Sequence, residues 1–139
     1  METSLYMIKP EAMVHQEEIR TLISAHLTLG ERKTVVLPEW VMQEFYADLS
    51  ADLQRATCMA FNAGPVELGL VHGHDAINVL KWLSGDKTSP QDCRPGSIRY
   101  RFGVKEPVVV GGARYFLNAI HRPMDEAEAV AHIKIFNML

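Results

Sequence analysis

The 139 residues predict an α+β sandwich: a ferredoxin-like, four-stranded antiparallel sheet in βαββαβ order, with helices packed on one face. Three observations carry this expectation. Short apolar or β-branched runs alternate with stretches whose apolar residues recur at helical spacing. The length suits one domain, residues 1–139, able to bury a core without staples. The balance of 47% hydrophobic to 22% charged residues is that of an ordinary globular chain, with no repeat and no low-complexity tail.

SLYMI (4–8) is an apolar run that meets Pro10, so it reads as a strand closing at Lys9–Pro10. EEIRTLISAHL (17–27) spaces Ile19, Leu22, Ile23 and Leu27 as one helical face, and Gly30 is expected to close that helical region. RKTVVL (32–37) is β-branched and reads as a second strand. Pro38 then opens a helical segment, with Glu39 in the first turn. That segment runs over 39–61 and breaks near Asp48–Ser50 into two helices. NAGP (62–65) is a turn, VELGLV (66–71) a third strand and HDAINVLKWLSG (74–85) an amphipathic helix. DKTSPQDCRPGSIRYRFG (86–103) reads as a long functional loop. PVVVGGARYFLNAI (107–120) reads as a hairpin turned at Gly111–Gly112 and running into the last strand. DEAEAVAHIKIF (125–136) is the final helix, capped by Asp125 or a residue before it.

Composition narrows the function classes. A net charge of -3 gives no global basic field for nucleic acid, although a local cationic pocket is compatible with it. Two cysteines, Cys58 and Cys93, make no disulfide framework and fit a reducing cytoplasm. METSLYMIKPEAM (1–13) does not read as a signal peptide, and no apolar run approaches membrane-spanning length.

Six histidines are present. His26 and His132 lie in helices, and packing explains them best. His15 sits in a turn. His72-Gly-His74 lacks a nearby cysteine or acid cluster and reads as a strand-end turn rather than a metal site. His121 differs by location, at a strand end just before a helix, where functional groups often sit. No GxxxxGK[ST] exists, so a P-loop is excluded. Lys9, Lys81, Arg94, Arg99, Arg101 and Arg122 are scattered at element ends. Each alone is a solvated surface charge, and only convergence on one pocket would make an anion clamp.

Four separated pieces supply that convergence by resemblance. YMIKPEAM (6–13), NAGPV (62–66), TSPQDCRPGSIR (88–99) and NAIH (118–121) stand in the order expected of a nucleoside diphosphate kinase, and the resemblance spans nearly the whole chain. It implies the ferredoxin-like fold and a ping-pong exchange of the γ-phosphate between nucleoside tri- and diphosphates, ATP among them. His121 would be the phosphorylated nucleophile. Lys9 would contact the transferred phosphate, and Tyr46 would support it and the nucleophile. Thr88 and Arg99 would hold the distal phosphates, and Asn118 would bind the sugar hydroxyl. Lys81 falls where the family carries a phosphate-binding arginine, keeping the charge without the bidentate fork. Mg²⁺ would arrive on the nucleotide phosphates, with no protein metal cage. The resemblance also implies a homo-oligomer, hexamer or tetramer, in the cytoplasm.

The chain departs from the family pattern in four further places. Arg122, Pro123 and Met124 follow the histidine in place of a small residue, serine and aspartate. Arg122 would add positive charge beside the phosphoryl group. His132 stands where an acid on the last helix orients the histidine. The aromatic expected near Leu53–Gln54 is absent. An inserted hairpin around 103–113 lengthens the chain between Arg99 and Asn118. The alternative is a catalytically weak or inactive homologue that acts as a nucleotide-binding or assembly module.

Overall fold

The computed structural model describes residues 1–139. In chain order it contains β1 (Glu2–Ile8), α1 (Gln16–Ser24), β2 (Thr28–Val35), α2 (Glu39–Phe45), α3 (Ala51–Phe61), β3 (Val66–Gly73), α4 (Ala76–Ser84), α5 (Ile98–Phe102), β4 (Val108–Val110), β5 (Ala113–Tyr115), β6 (Ile120–His121) and α6 (Glu126–Met138). The main sheet has the order β2-β3-β1-β6, and each neighbouring pair is antiparallel. This is the expected ferredoxin-like order, with β1 and β3 at the centre.

Helices cover both faces of the sheet, not one as the element order suggested. β1 alternates between two cores: Tyr6 and Ile8 join Ile19 and Ile23 of α1 and Leu80 and Leu83 of α4. Leu5 and Met7 point the other way, to Val41, Met42 and Phe45 of α2, Phe61 of α3, and Ile135 and Phe136 of α6. The physical signal was in SLYMI itself. A strand with one wet face alternates apolar and polar residues, and an unbroken apolar run implies burial on both sides. Every residue from Ser4 to Ile8 is buried.

Three local expectations are also revised. Gly30 does not close a helix: α1 ends at Ser24, and Gly30 lies inside β2, where the register shifts between Leu29 and Arg32. The shift is a bulge, which lets an edge strand carry an irregular pair. The long segment after Gly85 is not all loop. Ser97 caps α5 by accepting from the Tyr100 N–H at 3.3 Å. The hairpin forms at Gly111–Gly112 but occupies 108–115 as a separate two-stranded sheet, not 103–113, and it does not run into β6. Gly111 has φ +59, which a two-residue hairpin turn asks of its first position and glycine meets without strain. Asp125 caps α6 as expected, accepting from the Glu128 N–H at 2.9 Å.

Candidate active site

The residues singled out along the chain meet where β1 and β6 end side by side. His121 pairs with Met7 in the sheet, so its ring points to the face covered by α2, α3 and α6. Next in the chain after β1, Lys9 donates its backbone N–H to the Ala119 carbonyl at 2.8 Å. Ala119 is a non-glycine residue at φ +75, and the Ile120 N–H reaches back to the Asn118 carbonyl at 2.9 Å. Together these describe a γ-turn of the rare, strained kind. Glu11 stabilises it by accepting the Ala119 N–H at 3.0 Å. Strain of this sort persists only where surrounding contacts over-determine it. Here it aims Asn118 and His121 into one cavity.

That cavity has a volume of about 260 Å³. Lys9, Thr88, Arg99, Asn118 and His121 form its polar side, with Tyr46 between. Leu49 and Leu53 also line it, together with Arg114, Tyr115 and Phe116 of the hairpin and its exit. Lys9 Nζ donates to Asn118 Oδ1 at 2.7 Å and to the Tyr115 hydroxyl at 3.4 Å, which leaves one of its three N–H groups free. Asn118 Nδ2 donates to the Thr88 carbonyl at 3.0 Å, tying the loop to the turn that precedes His121. Arg99 is buried. It donates to the carbonyls of Ile120 (3.0 and 3.3 Å), Lys87 (2.9 Å) and Gly85 (3.4 Å), so four of its five N–H groups hold backbone.

Burial and mutual repulsion tune these groups. Lys9 is pulled down to about 7, mainly by burial and further by Arg99, with Glu11 opposing. His121 lies well below the usual histidine range because of burial, then His132, Lys9, Arg99 and Arg122. Its imidazole is therefore neutral at physiological pH. Its Nε2 is buried without a partner. Its Nδ1 makes no hydrogen bond within the protein and is not among the buried unpartnered atoms, so Nδ1 is the nitrogen that opens on the cavity. Tyr46 lies against the His121 ring at 5.0 Å, and burial pushes its phenol well above the usual tyrosine value.

Not every candidate reaches the cavity. Lys81 Nζ donates to the Met124 carbonyl at 3.1 Å, and Lys81 does not line the cavity. Arg122 is buried and turned away. Its guanidinium donates to Ser84 Oγ at 2.6 Å, the Gly85 carbonyl at 2.8 Å and Met124 Sδ at 2.9 Å. Its contribution is to pin the end of α4, not to meet a phosphoryl group. Arg94 lies over Trp82 at 4.0 Å, and Arg101 over Phe102 at 5.0 Å. His72 bonds Thr3 Oγ1 at 2.9 Å.

Sequence reasoning missed Glu11's grip on the γ-turn and the Arg114–Phe116 wall. Glu11 stands within YMIKPEAM, but nothing local in that motif shows that its carboxylate holds a turn more than a hundred residues away. The aromatic pair Tyr115–Phe116 beside Asn118 was a readable sign.

The comparisons with known proteins converge on the same kind of protein. The family model described as nucleoside diphosphate kinase matches residues 2–138. No match is found among curated proteins. Similar solved structures include the nucleoside diphosphate kinase of Encephalitozoon cuniculi (26% identity, TM-score 0.80, covering 98% of this chain and 88% of that one). The Borrelia burgdorferi enzyme, a transition-state mimic with bound vanadate and ADP, has 24% identity and a TM-score of 0.77, covering 97% and 86%. An NDP kinase from Pyrobaculum aerophilum has 20% identity and a TM-score of 0.79, covering 97% and 94%. The chain belongs to the nucleoside diphosphate kinase family and is a phosphotransferase of that kind.

Proposed function

We propose that this chain carries the γ-phosphoryl group of a nucleoside triphosphate on His121 Nδ1 and passes it to a second nucleoside diphosphate. The supporting observation is a neutral imidazole nitrogen that opens into a cavity floored by Lys9, Arg99 and Asn118. A neutral ring nitrogen is a nucleophile, and fixed cations stabilise charge as it moves between oxygens. Splitting the exchange at a phosphohistidine replaces one encounter of two polyanions with two separate steps. The remaining N–H groups of Lys9 and Arg99 would grip the phosphates, and Thr88 the distal ones. Tyr46 would hold the nucleophile's ring, and Asn118 would use its remaining amide capacity on the sugar. Lys81 would act at longer range, by charge alone.

The half-buried Leu49, Leu53 and Phe116 give the cavity an apolar surface suited to a nucleobase. The hairpin thus supplies the aromatic surface absent near Leu53–Gln54. No carboxylate lines the cavity, and no cluster of three histidine, cysteine or acidic residues exists. The donor set therefore fits Mg²⁺ only as a partner of the nucleotide phosphates, where it would neutralise part of their charge. The enzyme works as a homo-oligomer, hexamer or tetramer. Two free thiols suit a reducing cytoplasm, where we place it.

The test is labelling. Protein incubated with γ-labelled ATP and quenched in alkali should carry an alkali-stable, acid-labile phosphate. Exchange kinetics with a second nucleoside diphosphate should give the parallel double-reciprocal lines of a ping-pong enzyme. An unlabelled protein, beside a kinase that labels under the same conditions, would refute the reading.

Lys9 makes binding depend on pH. Its free value of about 7 must rise when a phosphate dianion arrives, so binding takes up a proton above that pH. Nucleotide affinity should be full below about pH 7 and fall by up to about tenfold per unit as pH rises toward the bound-state value. Calorimetry in buffers of different ionisation enthalpy measures the proton uptake directly. Lys9→Met should bind more weakly and lose this pH dependence.

A further inference from the structure

Behind the cavity two imidazoles lie side by side. The rings of His121 on β6 and His132 on α6 have centroids 5.2 Å apart. Phe45 packs against both, at 5.3 and 4.3 Å, and so restrains their orientation. His121 Nε2 and His132 Nδ1 are each buried without a hydrogen-bond partner. Unpaired buried polar atoms are costly, and two of them on adjacent rings can satisfy one another: one carries the proton and the other accepts it. His132 also helps to line an open cleft between α2 and α6, whose wall includes Glu44, Asp48 and Glu128.

We propose that His132 is a positioning residue for the nucleophile, taking the Nε2–H of His121 in a ring-to-ring hydrogen bond and linking that proton to the acid-lined cleft. This rests on the reading of His121 as the phosphoryl acceptor. The bond selects the tautomer in which Nδ1 keeps its lone pair toward the cavity. In the transfer, the Nδ1–P bond forms and the P–O bond to the leaving diphosphate breaks, its electron pair staying on that oxygen. The phosphorylated ring is then cationic, and its Nε2–H is more acidic than before. His132 Nδ1 accepts that proton partly or wholly, and His132 Nε2–H turns its charge toward the carboxylates. On the return transfer the proton moves back, so none is gained or lost.

The pair sits between two fields. Lys9 and Arg99 at the cavity, and Arg122 from the end of α4, oppose protonation of His121. On the other side, the cleft that His132 lines carries the carboxylates of Glu44, Asp48 and Glu128, and Asp125 lies at the start of the same helix. Burial holds His132 down at about 4, so the resting pair is neutral at pH 7. When acid charges His132, its Nδ1–H faces His121. His121 must then carry its own proton on Nδ1, where the nucleophile is blocked. The two rings titrate together, so the acid loss of labelling is a property of the pair.

The experiment uses His132→Gln, which can accept the hydrogen bond but does not titrate, and His132→Leu, which can do neither. Nitrogen-15 spectra of the full-length protein at pH 7 should show His121 as the Nε2–H tautomer in the wild type and in His132→Gln, and as a mixture in His132→Leu. Initial labelling rates should drop about tenfold in His132→Leu. In His132→Gln they should stay within a few-fold of wild type at pH 7, with the acid limb moved to lower pH. A wild-type His121 that is not the Nε2–H tautomer, or superimposable pH profiles in wild type and His132→Gln, would overturn the proposal, and this arm decides it even where His132→Leu does not fold. A wild type that takes no label refutes the kinase reading instead, while the tautomer measurement still tests the hydrogen bond.

Discussion

His121→Ala should take up no phosphate from γ-labelled ATP and lose exchange activity by about 10⁴-fold or more, the scale of removing a covalent nucleophile. The expectation rests on what the variant lacks and what it keeps. It lacks the one neutral ring nitrogen that opens into the cationic cavity. It keeps Lys9, Arg99, Asn118 and the apolar wall, so nucleotide binding should persist within a few-fold. The fold should persist too. His121 ends a two-residue strand whose ladder bonds are made by backbone, and Phe45 retains His132 as a neighbour. The loss of ring packing should cost about 1–3 kcal/mol. Circular dichroism and nucleotide titration establish the controls. A folded variant that still labels would move the nucleophile to another residue.

How the site could be read from sequence follows from what kind of physics placed each residue. His121, Lys9, Asn118, Thr88 and Arg99 sit in short motifs whose order carries the resemblance, and the structure gathers all five at one cavity. Arg122 shows the limit of such reading. Next to His121 in sequence, it reads as extra charge for a phosphate. In space, Ser84 and Gly85 draw its guanidinium to the end of α4. Tertiary partners decide where a long side chain points, and no local pattern encodes them. The same is true of His132, which read as a packed helical histidine and is one, yet it packs against His121.

The fold divides similarly. Element order and the main-sheet topology were legible because hydrophobic periodicity and punctuation by Pro10, Pro38 and Asp125 are local signals. The second helical layer was not, since nothing local says which face of the sheet α2, α3 and α6 will cover. Burial of β1 on both faces was the clue, and it is a property of composition within five residues, SLYMI. The last strand was expected at the right place but as a continuation of the hairpin; the strained turn at Ala119 separates the two and leaves β6 only two residues of ladder.

Arg20→Met should be the most destabilising single change remote from the cavity, by about 3–5 kcal/mol, because it strands a buried charge. On the face opposite His121, the Glu67 carboxylate is 1% exposed. It accepts from Arg20 and, at 2.6 Å, from the Tyr6 hydroxyl. Tyr6 reaches it by lying across Gly69, its partner in the β1–β3 register. A Cβ at Gly69 would come within 2.2 Å of the Tyr6 ring. Without Arg20 the carboxylate keeps one neutral donor and no counter-charge. Glu67→Gln should cost less, since the amide oxygen still accepts from Tyr6 and Arg20 can turn to solvent from its 17% exposed position. Denaturant titration distinguishes the two, as a midpoint shift with unchanged slope that is larger for Arg20→Met. Equal shifts would mean that the guanidinium contributes packing alone. In both variants the labelling proposed for His121, at a temperature where the protein is folded, should match wild type, because the ion pair and the His121 ring lie on opposite faces of the sheet.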